Sequence, residues 1–432
     1  MTDAGKKKVF LLLLIVFMPL FSLFSQNLGS SGSVAPAAGE KRQGDNLTVK
    51  LAVMGPGDEL YFWFGHIGLV IENKATGQVR FFDWGVFSFD SENFFVNFAF
   101  GRLRYCCAVS RAQSYYSAYI SSNRDITLYT LNLPAEKKEA ILRFAENNVL
   151  PENRDYWYHN FRDNCSTRIR DILDMALDGQ FSAEFADAPG RYTYRQHVRR
   201  HTWAHPFFDW ILNFWMGPNI DRPITVWEEM FLPSELAMRA VNFSYTGPDG
   251  RPRPLVSSVE HLYKAVGRPA VLDVPRLQWP RELAFSLLVS AALLLLYRFR
   301  GSLKGFRIIM GSLHTLLGFF FGVVGSLLFF MTFFTNHDYT FHNANIVFVN
   351  PLLLAAVPLG LIFAFTRKDR KRLIAASLLR ILWSYVLLGG ILTMVIKLFP
   401  AFYQQNQVDQ ALILPLALTM AFIMARLNRS RI

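Results

Sequence analysis

The chain has 432 residues, of which 52% are hydrophobic and 18% charged, and its formal net charge is +12. Soluble domains carry about 25% charged residues, so this composition excludes a wholly soluble protein. Much of the positive charge lies in loops between hydrophobic segments, where it indicates membrane topology. We therefore predict a membrane protein with no nucleic-acid partner.

The first 25 residues are predicted to be an export segment. Lys6, Lys7 and Lys8 precede an apolar run from Val9 to Phe24, as in a secretory signal peptide or a signal anchor. The weak cleavage site at Leu23-Phe24-Ser25 favours the uncleaved anchor. Under both alternatives the export segment is succeeded by a flexible linker over residues 26–45 and an extracytoplasmic domain over residues 46–280.

Two predicted strands carry the first candidate catalytic residues. Tyr61–Glu72 is rich in aromatic and β-branched residues and pairs, in this prediction, with Val79–Trp84. An isolated histidine is usually structural, but His66 has Gly68 beside it on one strand face, which leaves room for a group to approach the imidazole. Asp83, on the second strand, is either the residue that orients this imidazole or a turn residue.

The most informative residue is Cys165, in the run Asp163-Asn164-Cys165-Ser166-Thr167-Arg168. Apolar residues with helical spacing follow it, and Asn164 is a natural N-cap, so Cys165 is predicted in the first turn of a helix. The free amides of that turn favour a thiolate, and His66 is its candidate base. The alternative is a buried structural cysteine, which the polar surroundings disfavour.

Two further cysteines, Cys106 and Cys107, lie in a predicted strand, Leu103–Val109. Adjacent residues of a strand point to opposite faces, so a disulfide between them is sterically awkward. An odd number of cysteines in an oxidising compartment leaves at least one thiol free, which is consistent with a free Cys165.

Further along, Pro206–Met216 is unusually aromatic for a soluble domain. It is predicted either to dip into the membrane interface or line an acyl groove, or to be a core helix. The sequence alone favours neither alternative.

Five hydrophobic spans come next, and residues 281–432 are predicted to form a transmembrane domain. The spans are 282–297, 308–335, 346–365, 373–398 and 408–425. Lys and Arg are concentrated in the loops at 298–307 and 367–372 and at the end of the chain, whereas the loops at 336–345 and 401–410 contain no Lys or Arg. By the positive-inside rule the basic loops and the C-terminus are cytoplasmic, and residues 26–280 are not.

The loop His337–Asn345 carries His337, Asp338, His342, Asn343 and Asn345 within nine positions. We expect it at the outer bilayer surface near the catalytic groove, because polar groups at that depth need partners. The asparagines are expected to stabilise the bundle, and His337 to contact a substrate.

His66 precedes Asn164-Cys165 by about a hundred residues. This order resembles that of the catalytic residues in the circularly permuted papain-like fold of the lecithin:retinol acyltransferase class. The chain is more closely similar to the Lnb family of bacterial lipoprotein N-acyltransferases. The matching elements are Phe64-Gly65-His66, Phe82-Asp83-Trp84-Gly85, Gly101–Tyr105, Tyr156–Arg168, Asp221-Arg222-Pro223-Ile224, Met230-Phe231-Leu232-Pro233 and the polar residues from His337 to Pro351. Asp83-Trp84 differs from the amide and tyrosine common in the family, which leaves the identity of the orienting residue open.

This resemblance implies an α+β, permuted papain-like thiol-enzyme domain (antiparallel sheet plus helices) followed by an α-helical transmembrane bundle. It implies residence in the bacterial inner membrane, with the catalytic domain facing the periplasm. The implied reaction moves an acyl chain from a phospholipid, through a thioester on Cys165, to the N-terminal amine of a diacylglyceryl-cysteine lipoprotein. No metal or cofactor is implied.

The same resemblance implies that His66 acts as general base and then as general acid. Asp83 is the candidate orienting residue from its place on the neighbouring strand. The residues expected to bind the substrates are Asn164, Thr167, Arg168, Tyr158, Trp84 and His337. Two other functions remain open: a membrane-tethered papain-like cysteine peptidase or amidase of the cell envelope, and a non-catalytic envelope sensor or transport accessory.

Overall fold

The structure is a computed structural model that describes residues 43–87 and 93–429. The predicted export segment, residues 1–25, and linker residues 26–42 lie outside the described residues. The described part of the chain runs from a 3-10 turn at Gln43–Asn46 to a long apolar helix at Gln407–Arg429.

The N-terminal part is built on an antiparallel sheet, as predicted, in the order β6-β4-β3-β2-β1-β5-β9. A separate two-stranded sheet pairs β7 with β8. The strands are β1 Leu47–Met54, β2 His66–Asn73, β3 Gln78–Val86, β4 Arg104–Arg111, β5 Ile126–Leu131, β6 Asp155–Trp157, β7 Ser244–Thr246, β8 Pro252–Pro254 and β9 Val256–Tyr263.

The predicted hairpin of two strands is confirmed, but its first strand is shorter than predicted and begins at His66. Leu60–Phe62 forms a 3-10 turn, and Gly65 has a φ of +77°. A Cβ at Gly65 would lie 2.8 Å from the carbonyl oxygen of Met54. The chain therefore enters β2 through a conformation that favours glycine, and His66 is the first residue after it.

Nine helices of the described chain accompany the sheet. They are α1 Phe94–Ala99, α2 Ala112–Ser121, α3 Ala135–Asn148, α4 Cys165–Ala176, α5 Gln180–Phe185, α6 Tyr194–Thr202, α7 Pro206–Trp215, α8 Val226–Glu229 and α9 Pro233–Asn242. The apolar face of α4 supplies Ile169 and Leu173 to a core that also contains Ile67 and Leu69 of β2. Burial of each such side chain contributes about 1.5–3 kcal/mol, so this packing holds α4 against the sheet.

The C-terminal part contains five apolar segments long enough to cross a membrane, which confirms the predicted bundle. They are α10 Trp279–Arg298, α11 Phe306–Phe334, the segment Ala344–Phe365, α13 Asp369–Ile396 and α14 Gln407–Arg429. The third segment consists of 3-10 turns at Ala344–Val347 and Pro351–Ala355 followed by α12, Ala356–Phe365.

Glycines on one face of α11 allow the third segment to approach closely. A Cβ at Gly311 would lie 2.5 Å from the carbonyl oxygen of Gly360, and one at Gly318 would lie 2.3 Å from Cβ of Ala356. These glycines form a helix-packing surface.

The aromatic segment near residue 210 is a core helix. Trp210, Ile211 and Phe214 of α7 are buried in the same apolar core as the transmembrane helices. The Trp210 ring stacks on Phe320 of α11 with centroids 5.9 Å apart. Helix α7 therefore joins the N-terminal part to the bundle.

Polar side chains from the two loops that lack Lys and Arg, residues 336–345 and 401–410, satisfy the carbonyl groups at the C-terminal end of α7. The carbonyl oxygen of Phe214 accepts hydrogen bonds from Nδ2 of Asn343 at 2.8 Å and of Asn345 at 3.0 Å. Gln404 donates to the carbonyl oxygen of Met216 at 3.2 Å. Buried helix ends need such partners, so the expected structural role of these asparagines is confirmed. Both of these loops thus lie against the N-terminal part.

Candidate active site

His66 and Asp83 face each other across the β2–β3 hairpin. Nε2 of His66 lies 2.8 Å from Oδ1 of Asp83, whose side chain is buried. Tyr115 of α2 also hydrogen-bonds to this carboxylate. The imidazole is therefore held through one ring nitrogen, and Nδ1 is left as the nitrogen available to a thiol.

Cys165 is the first residue of α4, as predicted from the N-cap. Asn164 Oδ1 accepts hydrogen bonds from the amides of Ser166 and Thr167, each at 2.9 Å, and Thr167 Oγ1 accepts one from the Asn164 amide at 2.8 Å. Asn164 Nδ2 donates to the carbonyl oxygen of Phe231 at 3.0 Å. This reciprocal capping box fixes the position from which the Cys165 side chain projects.

The cysteine, histidine and aspartate converge on Gly85. The β3–β4 register shifts between Trp84 and Val86, which places Gly85 at an irregularity of the sheet. A Cβ at Gly85 would lie 3.0 Å from Cε1 of His66, 3.5 Å from Oδ1 of Asp83 and 3.6 Å from Cβ of Cys165. The three side chains thus surround one backbone position that has no side chain of its own.

The electrostatic surroundings favour a protonated His66. Burial alone lowers the pKa of its imidazole, but the charge of Asp83, followed by Tyr119, Cys165 and the Asp83 hydrogen bond, raises this pKa well above its usual range. A protonated imidazole next to a cysteine can serve as the ion-pair partner of a thiolate.

Tyr158, a predicted substrate-binding residue, lies close to Cys165. Its ring stacks on Tyr105 with centroids 4.1 Å apart. Burial, followed by the electrostatic effect of Cys165, raises the pKa of both hydroxyl groups. Both tyrosines therefore remain neutral, and they give one side of the site an aromatic wall.

Other predicted substrate-binding residues make contacts within the protein. Asn164 and Thr167 form the capping box of α4. Arg168 donates to both carboxylate oxygens of Asp163, at 2.5 and 2.8 Å, and Trp84 is buried and donates to Asn148 Oδ1 at 3.1 Å. These contacts position α4 and β3; direct contact with substrate stays a prediction for each residue.

His337 is buried against the end of α1. Its Nδ1 and the Tyr339 hydroxyl share a hydrogen bond at 2.9 Å, and the ring hydrogen-bonds to the backbone of Phe98 and Ala99. Burial lowers the pKa of His337. The structure thus places His337, in the loop at 336–345, against α1.

The expectation for Gly68 is wrong. A Cβ there would lie 2.3 Å from the Phe81 ring, which already fills the space. The glycine that lies beside the His66 ring and Cys165 is Gly85 instead. A strand pattern cannot show this difference, because it depends on the cross-strand neighbours.

Three residues near the site were not predicted from the sequence. Tyr115 bonds to Asp83, and the Tyr119 ring lies parallel to that of His66 with centroids 6.4 Å apart. Arg124 is 1% exposed and its guanidinium lies 4.5 Å from the Tyr119 ring centroid. Tyr115 and Tyr119 are four residues apart, a spacing that places both side chains on the same face of a helix. This spacing could have indicated that both tyrosines face the site.

Two family models match the chain. The model of the Lnb N-terminal periplasmic domain matches residues 36–200, and that of the Lnb transmembrane domain matches residues 275–431. No curated protein and no solved structure matches the chain. The two matched regions agree with the sheet-based part and the five-segment bundle. The chain therefore belongs to the Lnb family and is a multi-pass membrane protein with a periplasmic domain.

Proposed function

We propose that this protein is a lipoprotein N-acyltransferase of the bacterial inner membrane, with Cys165 as its nucleophile. The observation that supports this most directly is the convergence of Cys165, His66 and Asp83 around Gly85. The attachment of this domain to a membrane bundle through α7 adds a reason for a lipid substrate, since a membrane-bound enzyme meets its lipid at high effective concentration.

In the first half-reaction the Cys165 thiolate attacks the carbonyl carbon of a phospholipid ester. His66 has already accepted the thiol proton, and Asp83 holds the resulting imidazolium through Nε2. A C–S bond forms, the ester C–O bond breaks, and His66 donates its proton to the departing oxygen. The products are a lysophospholipid and an acyl thioester on Cys165.

In the second half-reaction the neutral α-amine of a diacylglyceryl-cysteine lipoprotein attacks the thioester. A C–N bond forms and the C–S bond breaks, while His66 takes the proton that the amine loses. The thiolate–imidazolium pair is thereby restored. The lipoprotein leaves with an N-acyl chain.

The developing oxyanion needs hydrogen-bond donors beside Cys165. The amides of Ser166 and Thr167 already donate to Asn164 Oδ1. The amide of Cys165 itself is the remaining donor of this turn near the reacting carbon. We assign it to the oxyanion site.

The test is reconstitution of the purified protein in phospholipid vesicles with a diacylglyceryl-cysteine peptide. We expect mass spectrometry to detect a peptide one acyl chain heavier and, without the peptide, an acyl group on Cys165. A vesicle experiment that yields a cleaved peptide and no acyl-enzyme on Cys165 would instead indicate the peptidase or amidase activity. Absence of both products under conditions that keep the protein folded would support a non-catalytic role.

A further inference from the structure

The short helix α1 exposes an apolar surface beside the candidate site. Phe95, Val96 and Phe98 are 40%, 48% and 44% exposed. The helix has six residues, and none of them is charged. Such a concentration of exposed apolar side chains is typical of surfaces that meet a membrane or a partner.

The contacts of α1 place it where the bundle leaves the membrane. Phe100, at the end of α1, packs edge-to-face on Phe330 of α11 with centroids 5.5 Å apart, and its carbonyl oxygen accepts from the Asn336 amide at 2.9 Å. Phe330 is four residues before the outer end of α11, or about 6 Å along the helix axis. The exposed Phe333 and Phe334 continue the apolar surface on α11.

A basic side chain lies at the edge of this surface. The exposed Arg102 places its guanidinium 5.8 Å from the centroid of the Phe100 ring. Interfacial helices combine buried apolar side chains with arginine or lysine at the level of the lipid headgroups. The charge arrangement at α1 therefore fits a phospholipid surface better than an apolar protein partner.

A row of aromatic rings connects α1 with the candidate nucleophile. The Phe94 ring lies 5.9 Å from Phe87, Phe87 lies 5.0 Å from Tyr105, and Tyr105 stacks on Tyr158 at 4.1 Å, all between centroids. Tyr105 and Tyr158 form the aromatic wall beside Cys165. The apolar surface of α1 is thus continuous with the site.

We propose that α1 is immersed in the periplasmic leaflet and guides an acyl chain of a phospholipid along these rings to Cys165. This inference rests on the proposed function and adds the route of the donor. Phe95 and Phe98 contact the bilayer, and Phe94, Phe87 and Tyr105 contact the acyl chain. An apolar route of this kind keeps the chain out of water between the bilayer and the thiol.

The first test concerns immersion and does not depend on catalysis. The photo-crosslinking amino acid p-benzoylphenylalanine replaces Phe98, the full chain is reconstituted in vesicles of phosphatidylethanolamine and phosphatidylglycerol, and intact mass is measured after irradiation. Leu262 of β9, 38% exposed, receives the same replacement as a control. We expect a lipid adduct at position 98 and none at 262. No adduct at 98, or equal adducts at both, would overturn the proposed immersion.

The second test concerns the acyl route. We expect the double variant Phe95→Ser, Phe98→Ser to lower acyl transfer from vesicle phospholipid at least tenfold and to leave the turnover of a water-soluble butyryl ester unchanged. Leu262→Ser should change neither rate. An equal loss with both substrates, or no loss with phospholipid, would overturn the route. Failure of the wild-type protein to form any acyl-enzyme would refute the proposed function, while the crosslinking result would still decide the position of α1.

Discussion

His66 Nε2 and Asp83 Oδ1 are 2.8 Å apart, although 16 residues and a turn separate them in the chain. The contact links the base of the candidate site to a buried carboxylate on the neighbouring strand. Because Asp83 is the largest of the influences that raise the pKa of His66, this pair sets the pH range in which the imidazole is protonated.

Asp83→Asn should lower the pKa of His66, because it removes the negative charge that stabilises the imidazolium. The reaction needs protonated His66 to release the leaving group, so the alkaline limb of the kcat/KM profile should move to lower pH. In the unchanged protein, the His66–Asp83 pair contributes fully to the free energy of unfolding below the usual histidine pKa. This contribution is lost as pH rises through the raised pKa of His66 in the folded protein. A pH–rate profile measures the shift of the alkaline limb. Thermal unfolding measured as a function of pH tests the contribution to stability. An unmoved alkaline limb would show that Asp83 does not act on His66.

Cys165→Ala and His66→Ala should each reduce N-acylation at least about a thousandfold, because each removes one half of the thiolate–imidazolium pair. Both proteins should remain folded and inserted in the membrane. Cys106→Ser and Cys107→Ser are the matched controls and should retain activity far better, since both thiols belong to β4. Near-normal N-acylation by Cys165→Ala would exclude the thioester mechanism.

Gly85→Ala should impair activity more than stability. The added Cβ would lie 3.0 Å from Cε1 of His66 and 3.6 Å from Cβ of Cys165, so the imidazole must shift. The ring must give by a few tenths of an ångström, and a misplacement of about 1 Å can cost roughly a hundredfold, so we expect kcat to fall by roughly tenfold. Gly301→Ala adds the same methyl group where no atom lies within 4 Å and should be neutral. Equal activity of the two variants would place the reacting groups elsewhere.

Lys264 and Asp369 should lie on opposite sides of the membrane, because the loop at 367–372 is basic and residues 46–280 are predicted to be periplasmic. In a chain whose native cysteines are replaced, a membrane-impermeant maleimide added to intact spheroplasts should label Lys264→Cys and spare Asp369→Cys. Permeabilisation should make both accessible. Labelling of position 369 in intact spheroplasts would reverse the assigned topology.

His337→Ala should lower turnover with phospholipid without lowering the amount of protein. The ring bonds to the backbone at the end of α1, so its loss loosens the helix that we propose as the lipid contact. Tyr339→Phe removes the hydrogen bond to His337 Nδ1 while keeping the ring and should have a smaller effect. If activity and abundance of His337→Ala fall in proportion, His337 is a packing residue.

The sequence by itself determined the features that depend on neighbouring residues. Hydropathy over about 20 residues predicted the five spans, and Asn164 followed by an apolar helical pattern placed Cys165 at a helix start. Alternation and turn residues predicted the hairpin that carries His66 and Asp83. These signals are local, because burial in a membrane and helix capping act on contiguous segments.

Only the tertiary structure decided how distant segments meet. Gly85 shows the difference: an irregularity in β3 brings it between His66 and Cys165, which are 99 positions apart in the sequence. Helix α7 could have been an interfacial or a core helix until its packing on α11 settled the choice. Such contacts depend on how side chains from distant segments pack together. Close packing between distant segments cannot be read from the pattern of neighbouring residues in the sequence.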